Sequence, residues 1–190
     1  PIQDEEAAVA ELQHCVRELG MVGAMLPSNG EAIKGHLGAK AYWPIYEEAE
    51  KLGCCLTVHG GAHHQLGMDA FSVYYPGHAL GHPFGVMVQA AAMLSHGIFE
   101  RYHGLRVGFL EGGATWVPFF MERLDEEWNW RGAEEAPKVS VAPSEYFRGG
   151  RVYDHEGDTD QPPVADILVR GDRIAEILSL IHISEPTRRY

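Results

Sequence analysis

Cys54-Cys55-Leu56-Thr57-Val58-His59-Gly60-Gly61 is the stretch that decides the fold. Five residues apolar enough for both faces of a sheet run into an imidazole and then a glycine pair. That pattern fits a buried parallel strand whose end must stay open to a ligand. Upstream, Trp43 to Leu52 has helical spacing, with Pro44 tolerated in the first turn and Gly53 as the stop. The cadence recurs on both sides. Glu5 to Leu19 forms a helix closed by Gly20, and Met21 to Leu26 is an apolar strand ending at Pro27-Ser28-Asn29. Leu105 to Leu110 is a third strand, ending at Glu111-Gly112-Gly113. Helix and strand alternate, which implies a parallel sheet with crossover helices. Such folds place their chemistry at the carboxyl ends of the strands, where His59 and Glu111 stand.

Between these elements, Gly60 to Gly81 is a long loop and His82 to Tyr102 a helix, largely buried from Val86 to Leu94. Thr115 is placed to cap a last helix through Trp130. Trp116, Phe119, Phe120, Leu124 and Trp128 form its apolar face. From Arg131 the character changes to a loop with Pro137 and Pro143. Ala165 to Arg170 and Arg173 to Ile177, joined by Gly171-Asp172, carry a β-hairpin signal. The expected division is 1–146, 147–178 and 179–190.

Composition narrows the function classes. Lys plus Arg is 15 against 27 Asp plus Glu, a net charge of −12. Neither nucleic acid nor an anionic membrane is a partner such a balance favours. Three cysteines in 190 residues make no disulfide framework and suit a reducing cytoplasm. The longest apolar run, Gly85 to Phe99, is interrupted by Gln89, Ser95 and His96 and is too short to span a bilayer. Eight of the 11 histidines lie between His36 and His103.

His59, at a strand tip, is positioned to ligate a divalent ion or to hydrogen-bond locally. Glu111, at the next tip, suits metal ligation, general-base work or a bond to the backbone N–H groups of the following helix. His63, His64, His78 and His82 belong to the long loop and its exit, as solvated side chains or substrate contacts. Glu100, Arg101 and His103 end a helix as surface. No nucleophile elbow, phosphate loop or dinucleotide fingerprint is present.

The runs Val16-Arg17-Glu18-Leu19-Gly20-Met21-Val22-Gly23-Ala24-Met25-Leu26-Pro27, Tyr42-Trp43-Pro44-Ile45-Tyr46-Glu47-Glu48-Ala49-Glu50 and Thr57-Val58-His59-Gly60-Gly61 resemble the amidohydrolase-related family of metal-dependent enzymes. Gly81-His82-Pro83-Phe84-Gly85, the run Leu105 to Gly113, and Glu122-Arg123-Leu124-Asp125 extend the likeness over residues 1–148, toward the aminocarboxymuconate-semialdehyde decarboxylase group. The resemblance implies a (β/α)₈ barrel, present here in part, with a divalent metal, usually zinc, at its mouth. His59 matches the single ligand after the fifth strand. Glu111 stands where many relatives carry a catalytic histidine, and His82 is a second candidate for proton transfer. The first-strand His-x-His or Glu-x-His pair and the late Asp have no match. The implied activity is hydrolysis of an amide or ester, or non-oxidative loss of CO₂ from a small carboxylate. A homodimer is implied too. The alternative is a metal-free module that binds a small acid. With three of eight strands present, the chain is expected to be an incomplete barrel and inactive alone. Residues 148–177 resemble the start of another amidohydrolase, and the tail from Ser179 resembles non-native sequence.

Overall fold

The computed structural model describes residues 2–28, 35–61 and 66–147, together with the backbone of three strands further on. The chain divides into two units, Pro1–Pro143 and Ser144–Tyr190.

In the first unit the order is α1 (Glu5–Arg17), β1 (Gly23–Pro27), α2 (Trp43–Leu52), β2 (Cys55–His59), α3 (Tyr74–Ser95), α4 (Ile98–Arg101), β3 (Arg106–Leu110) and α5 (Trp116–Glu135). The three strands form one parallel sheet in the order β1-β2-β3, as the alternation predicts. Pro27 and Leu110 both sit in register with His59. Ser28 and Glu111 are therefore the first residues beyond the two outer strands, flanking the imidazole.

The core lies between the sheet and its helices, where Tyr42, Tyr46, Leu56, Val58, Val86, Met93 and Ile98 are fully buried. Along β2 burial alternates. Leu56 and Val58 enter this core, while Cys55, Thr57 and His59 are half-buried on the other face. β1 is less buried than its apolar sequence suggests, with Met25 64% exposed. It is an edge strand, and among the described residues only β2 pairs with it.

Two helix boundaries and one cap differ from the sequence expectation. α3 begins at Tyr74, so the second half of the supposed loop is helical. Pro76 falls in the first turn, where its missing N–H has no intrahelical partner to lose. Pro83 lies inside the helix. α5 continues to Glu135, its last turns carrying i,i+4 pairs from Arg131 to Glu127 and Glu135. Thr115 makes no side-chain cap. Instead the Trp116 indole N–H donates to the Gly113 carbonyl at 2.8 Å. The buried side of α5 is Val117, Phe120 and Met121, and Phe119 points outward.

α3 is tied to the carboxyl end of the sheet by a buried amide. Gln89 is 1% exposed; its Oε1 accepts from the Leu37 N–H at 2.8 Å and its Nε2 donates to the Ser28 carbonyl at 2.9 Å. Gly85 permits this approach, since a β-carbon there would lie 2.6 Å from Ser28 Oγ. α3 thus crosses directly over the strand tips.

A short 3₁₀ turn, Pro143–Phe147, begins at the last residue of the first unit; the strands of the second unit follow it in sequence. β4 (Arg151–Tyr153), β5 (Val164–Arg170) and β6 (Arg173–Leu178) form an antiparallel sheet in that order.

Candidate metal and proton-transfer site

Three side chains from three elements converge at the carboxyl edge of the parallel sheet. His59 closes β2, Glu111 follows β3, and His82 projects from α3. His59 Nε2 is 3.1 Å from Glu111 Oε2, and His82 Nε2 is 3.3 Å from the same oxygen. One donor atom from each of the three lies within 4.8 Å of the other two. The imidazole rings stand edge to face, 5.7 Å apart. His82 is the most enclosed, with 12% of its side chain exposed, against 27% for His59 and 62% for Glu111.

The hydrogen bonds on the far side of each ring set its chemistry. His59 Nδ1 is 2.5 Å from the Gly60 carbonyl oxygen, and His82 Nδ1 is 3.3 Å from the His78 carbonyl oxygen. A carbonyl only accepts, so each Nδ1 carries the proton and donates it. In the neutral rings this leaves the Nε2 lone pair directed at the carboxylate. Two lone pairs and an anionic oxygen facing one another require a cation between them, either a proton or a metal ion. Imidazole nitrogen and carboxylate oxygen suit a divalent transition metal, and the backbone bonds to Nδ1 are the outer support such ligands carry. The residues present therefore fit a metal.

The backbone is shaped for this convergence. A β-carbon at Gly60 would lie 2.3 Å from His82 Cδ2, so only glycine lets the His82 ring settle against the β2 tip. Gly112 is similarly close-packed, its β-carbon position 3.0 Å from Val86 Cγ2. Glu111 itself has φ +60°, the one non-glycine residue with positive φ among those described. A β-carbon is disfavoured there by about 1–2 kcal/mol, and such strain clusters at functional positions.

Every candidate proposed at the strand tips is thus in the cluster, and His82 joins it from a helix rather than a loop exit. His78 lies one turn earlier on α3. It supplies the carbonyl to His82 Nδ1, and its ring packs 4.8 Å from that of His82, with Tyr74 5.1 Å beyond. The four-residue spacing of Tyr74, His78 and His82 was the available signal. Pro76, Gly77 and Gly81 in the same stretch mask it, because they disfavour a helix locally. His96 is elsewhere, its Nδ1 2.8 Å from the Ala92 carbonyl oxygen. His36 and His103 are exposed. His63 and His64 lie outside the described residues.

The family model described as Amidohydrolase matches residues 1–174. The chain belongs to the amidohydrolase family. An aminocarboxymuconate-type enzyme of Dictyostelium discoideum, 2-amino-3-carboxymuconate-6-semialdehyde decarboxylase, is 31% identical over 148 residues, covering 77% of this chain and 40% of that protein. The crystal structure of 5-carboxyvanillate decarboxylase from Sphingomonas paucimobilis is 28% identical with a TM-score of 0.63, over 77% of this chain and 44% of that one. A dihydroxybenzoic acid decarboxylase from a Polaromonas species, solved with bound manganese and 2-nitroresorcinol, gives 27% and 0.58 over 78% and 46%. The chain spans less than half the length of each of these amidohydrolase relatives.

Proposed function

We propose that the full-length protein is a divalent-metal-dependent decarboxylase of the amidohydrolase family, acting on a small carboxylate. The observation that carries this is the convergence of His59 Nε2, His82 Nε2 and Glu111 Oε2, with both Nδ1 atoms committed to backbone carbonyls. In this proposal β1, β2 and β3 are the fourth, fifth and sixth strands of a (β/α)₈ barrel, and His59 holds the metal through Nε2. A divalent ion there supplies Lewis-acid stabilisation to a bound carboxylate.

The chain's own residues then manage one proton. Loss of CO₂ breaks the bond from the carboxyl carbon to the substrate carbon and leaves the electron pair on the latter. A new C–H bond must form there. Glu111 Oε2 is the group to deliver that proton, because it is the atom shared by both imidazoles and the most exposed of the three. His82, enclosed and 3.3 Å away, orients the carboxyl and shares its proton. Glu111, open to solvent, recovers a proton from water after turnover. Decarboxylation is preferred over hydrolysis because all three relatives are decarboxylases by name. The choice between zinc and manganese belongs to the same test.

In the full-length protein, His59→Ala should remove most bound metal and activity together. Glu111→Gln should keep the fold and lower kcat by about 10²-fold or more, the usual worth of a positioned proton donor. Metal analysis and CO₂ release measure both. Full turnover after chelation and in His59→Ala would refute the proposal.

A further inference from the structure

Trp43 opens α2, and three cations from three separate segments surround its indole. The Arg101 guanidinium carbon lies 4.1 Å from the ring centroid, Lys138 Nζ 5.5 Å and Lys40 Nζ 5.8 Å. None of the four residues belongs to the His59–His82–Glu111 cluster. We propose that Lys40, Arg101 and Lys138, organised on the Trp43 ring, form a binding site for a small multiply charged oxyanion, a phosphate or diphosphate group.

The segments that carry the cations are held in place. Val139, next to Lys138, is 7% exposed. The neighbouring Ser140 donates its N–H at 3.0 Å and its hydroxyl at 2.5 Å to Glu100 Oε1. Lys138 also lies close over Gly97, where a β-carbon would approach Lys138 Cβ to 3.2 Å. The Tyr102 hydroxyl donates to the Trp43 carbonyl at 3.2 Å, joining the end of α4 to the start of α2. Helix-end residues that pattern alone assigns to solvated surface are thus locked into one arrangement.

Charge balance points to the occupant. Among the described residues none of the three cations forms a salt bridge. Glu47, the carboxylate that feels Arg101, is committed to Lys51 Nζ at 2.6 Å; that bond, more than Arg101, holds its carboxyl below the usual carboxylate range. A guanidinium seated over an aromatic ring still has N–H groups to offer a fork of oxygens, and the two ammoniums near the same ring add point charges. Three like charges drawn to one ring repel each other, and a compact dianion relieves that repulsion. The net charge of −12 opposes an extended polyanion such as nucleic acid or an anionic bilayer, so a small molecule fits better.

The test is calorimetric titration of the full-length protein with inorganic pyrophosphate at low ionic strength. One saturable site is expected, weakened by added salt. The Arg101→Gln/Lys138→Gln variant should lose affinity at least tenfold with unchanged circular dichroism and unchanged basal decarboxylase activity. Lys51→Gln, a charge removed from a paired surface lysine, should bind as wild type. Absence of saturable binding, or equal affinity in the double variant as metal capture at the strand tips would give, overturns the proposal.

Discussion

Glu111 concentrates the site's conflicts in one residue. Its backbone is held at φ +60° and its carboxylate oxygen faces two imidazole nitrogens. Neither arrangement favours folding, and both make sense if a cation completes the cluster. Glu111→Gly in the full-length protein should relieve the left-handed strain of about 1–2 kcal/mol, partly offset by the added freedom of the unfolded chain. The expected result is a small net gain in stability, about 0.5–1 kcal/mol by urea denaturation, with loss of decarboxylation. A variant that is clearly less stable would show that the Glu111 contacts contribute net stability and that the strain serves packing. His59 and Glu111 were legible as candidates because a strand followed by a polar residue and two glycines is a local pattern. Their separation of 3.1 Å was not, because they stand 52 positions apart along the chain.

At the scale of the element, α2 shows how a helix is anchored for this purpose. Its limits, Trp43 and Leu52, follow from pattern, Pro44 and Gly53 alone. Its tertiary role does not. Tyr46 is fully buried and its hydroxyl donates to the Leu37 carbonyl at 2.5 Å, while the Leu37 N–H bonds Gln89 on α3. Burial, reinforced by Tyr42 and Tyr102, pushes the Tyr46 phenol far above its ordinary value. A phenol that stays neutral when folded but ionises when unfolded stabilises the fold fully below the unfolded value of about 10. That contribution is lost as pH rises beyond it. Tyr46→Phe should therefore cost about 1–3 kcal/mol near neutrality, by leaving a buried carbonyl unpaired. It should also flatten the alkaline fall in stability, which denaturation followed from pH 8 to about 11 will show. α3 is the opposite case. Its first two turns, Tyr74 to Gly81, contain Pro76, Gly77 and Gly81 and have poor intrinsic helicity. Tertiary contacts over the strand tips favour the helix there, and that extension sets His78 and His82 one turn apart.

For the molecule as a whole, the parallel sheet has β1 and β3 as its edges among the described residues. Val22, just before β1, is 85% exposed, and Met25 within it is 64% exposed. Unpaired parallel edges with apolar side chains recruit other strands. The 190-residue chain on its own should self-associate in a concentration-dependent way, as light scattering will show; a monodisperse monomer across a wide concentration range would contradict this. By itself the sequence determined the alternation of helices and strands, the parallel sheet, the amidohydrolase likeness and the two strand-tip residues. Each of these is written in short-range periodicity or in a contiguous motif. Only the tertiary structure decided that His82 reaches the same carboxylate as His59, that Gly60 makes room for it, and that Arg101 and Lys138 meet over Trp43. Those contacts depend on the crossing of α3 over the sheet and on the docking of the segment after α5. Packing free energy summed over many residues sets both, and no local spacing encodes it.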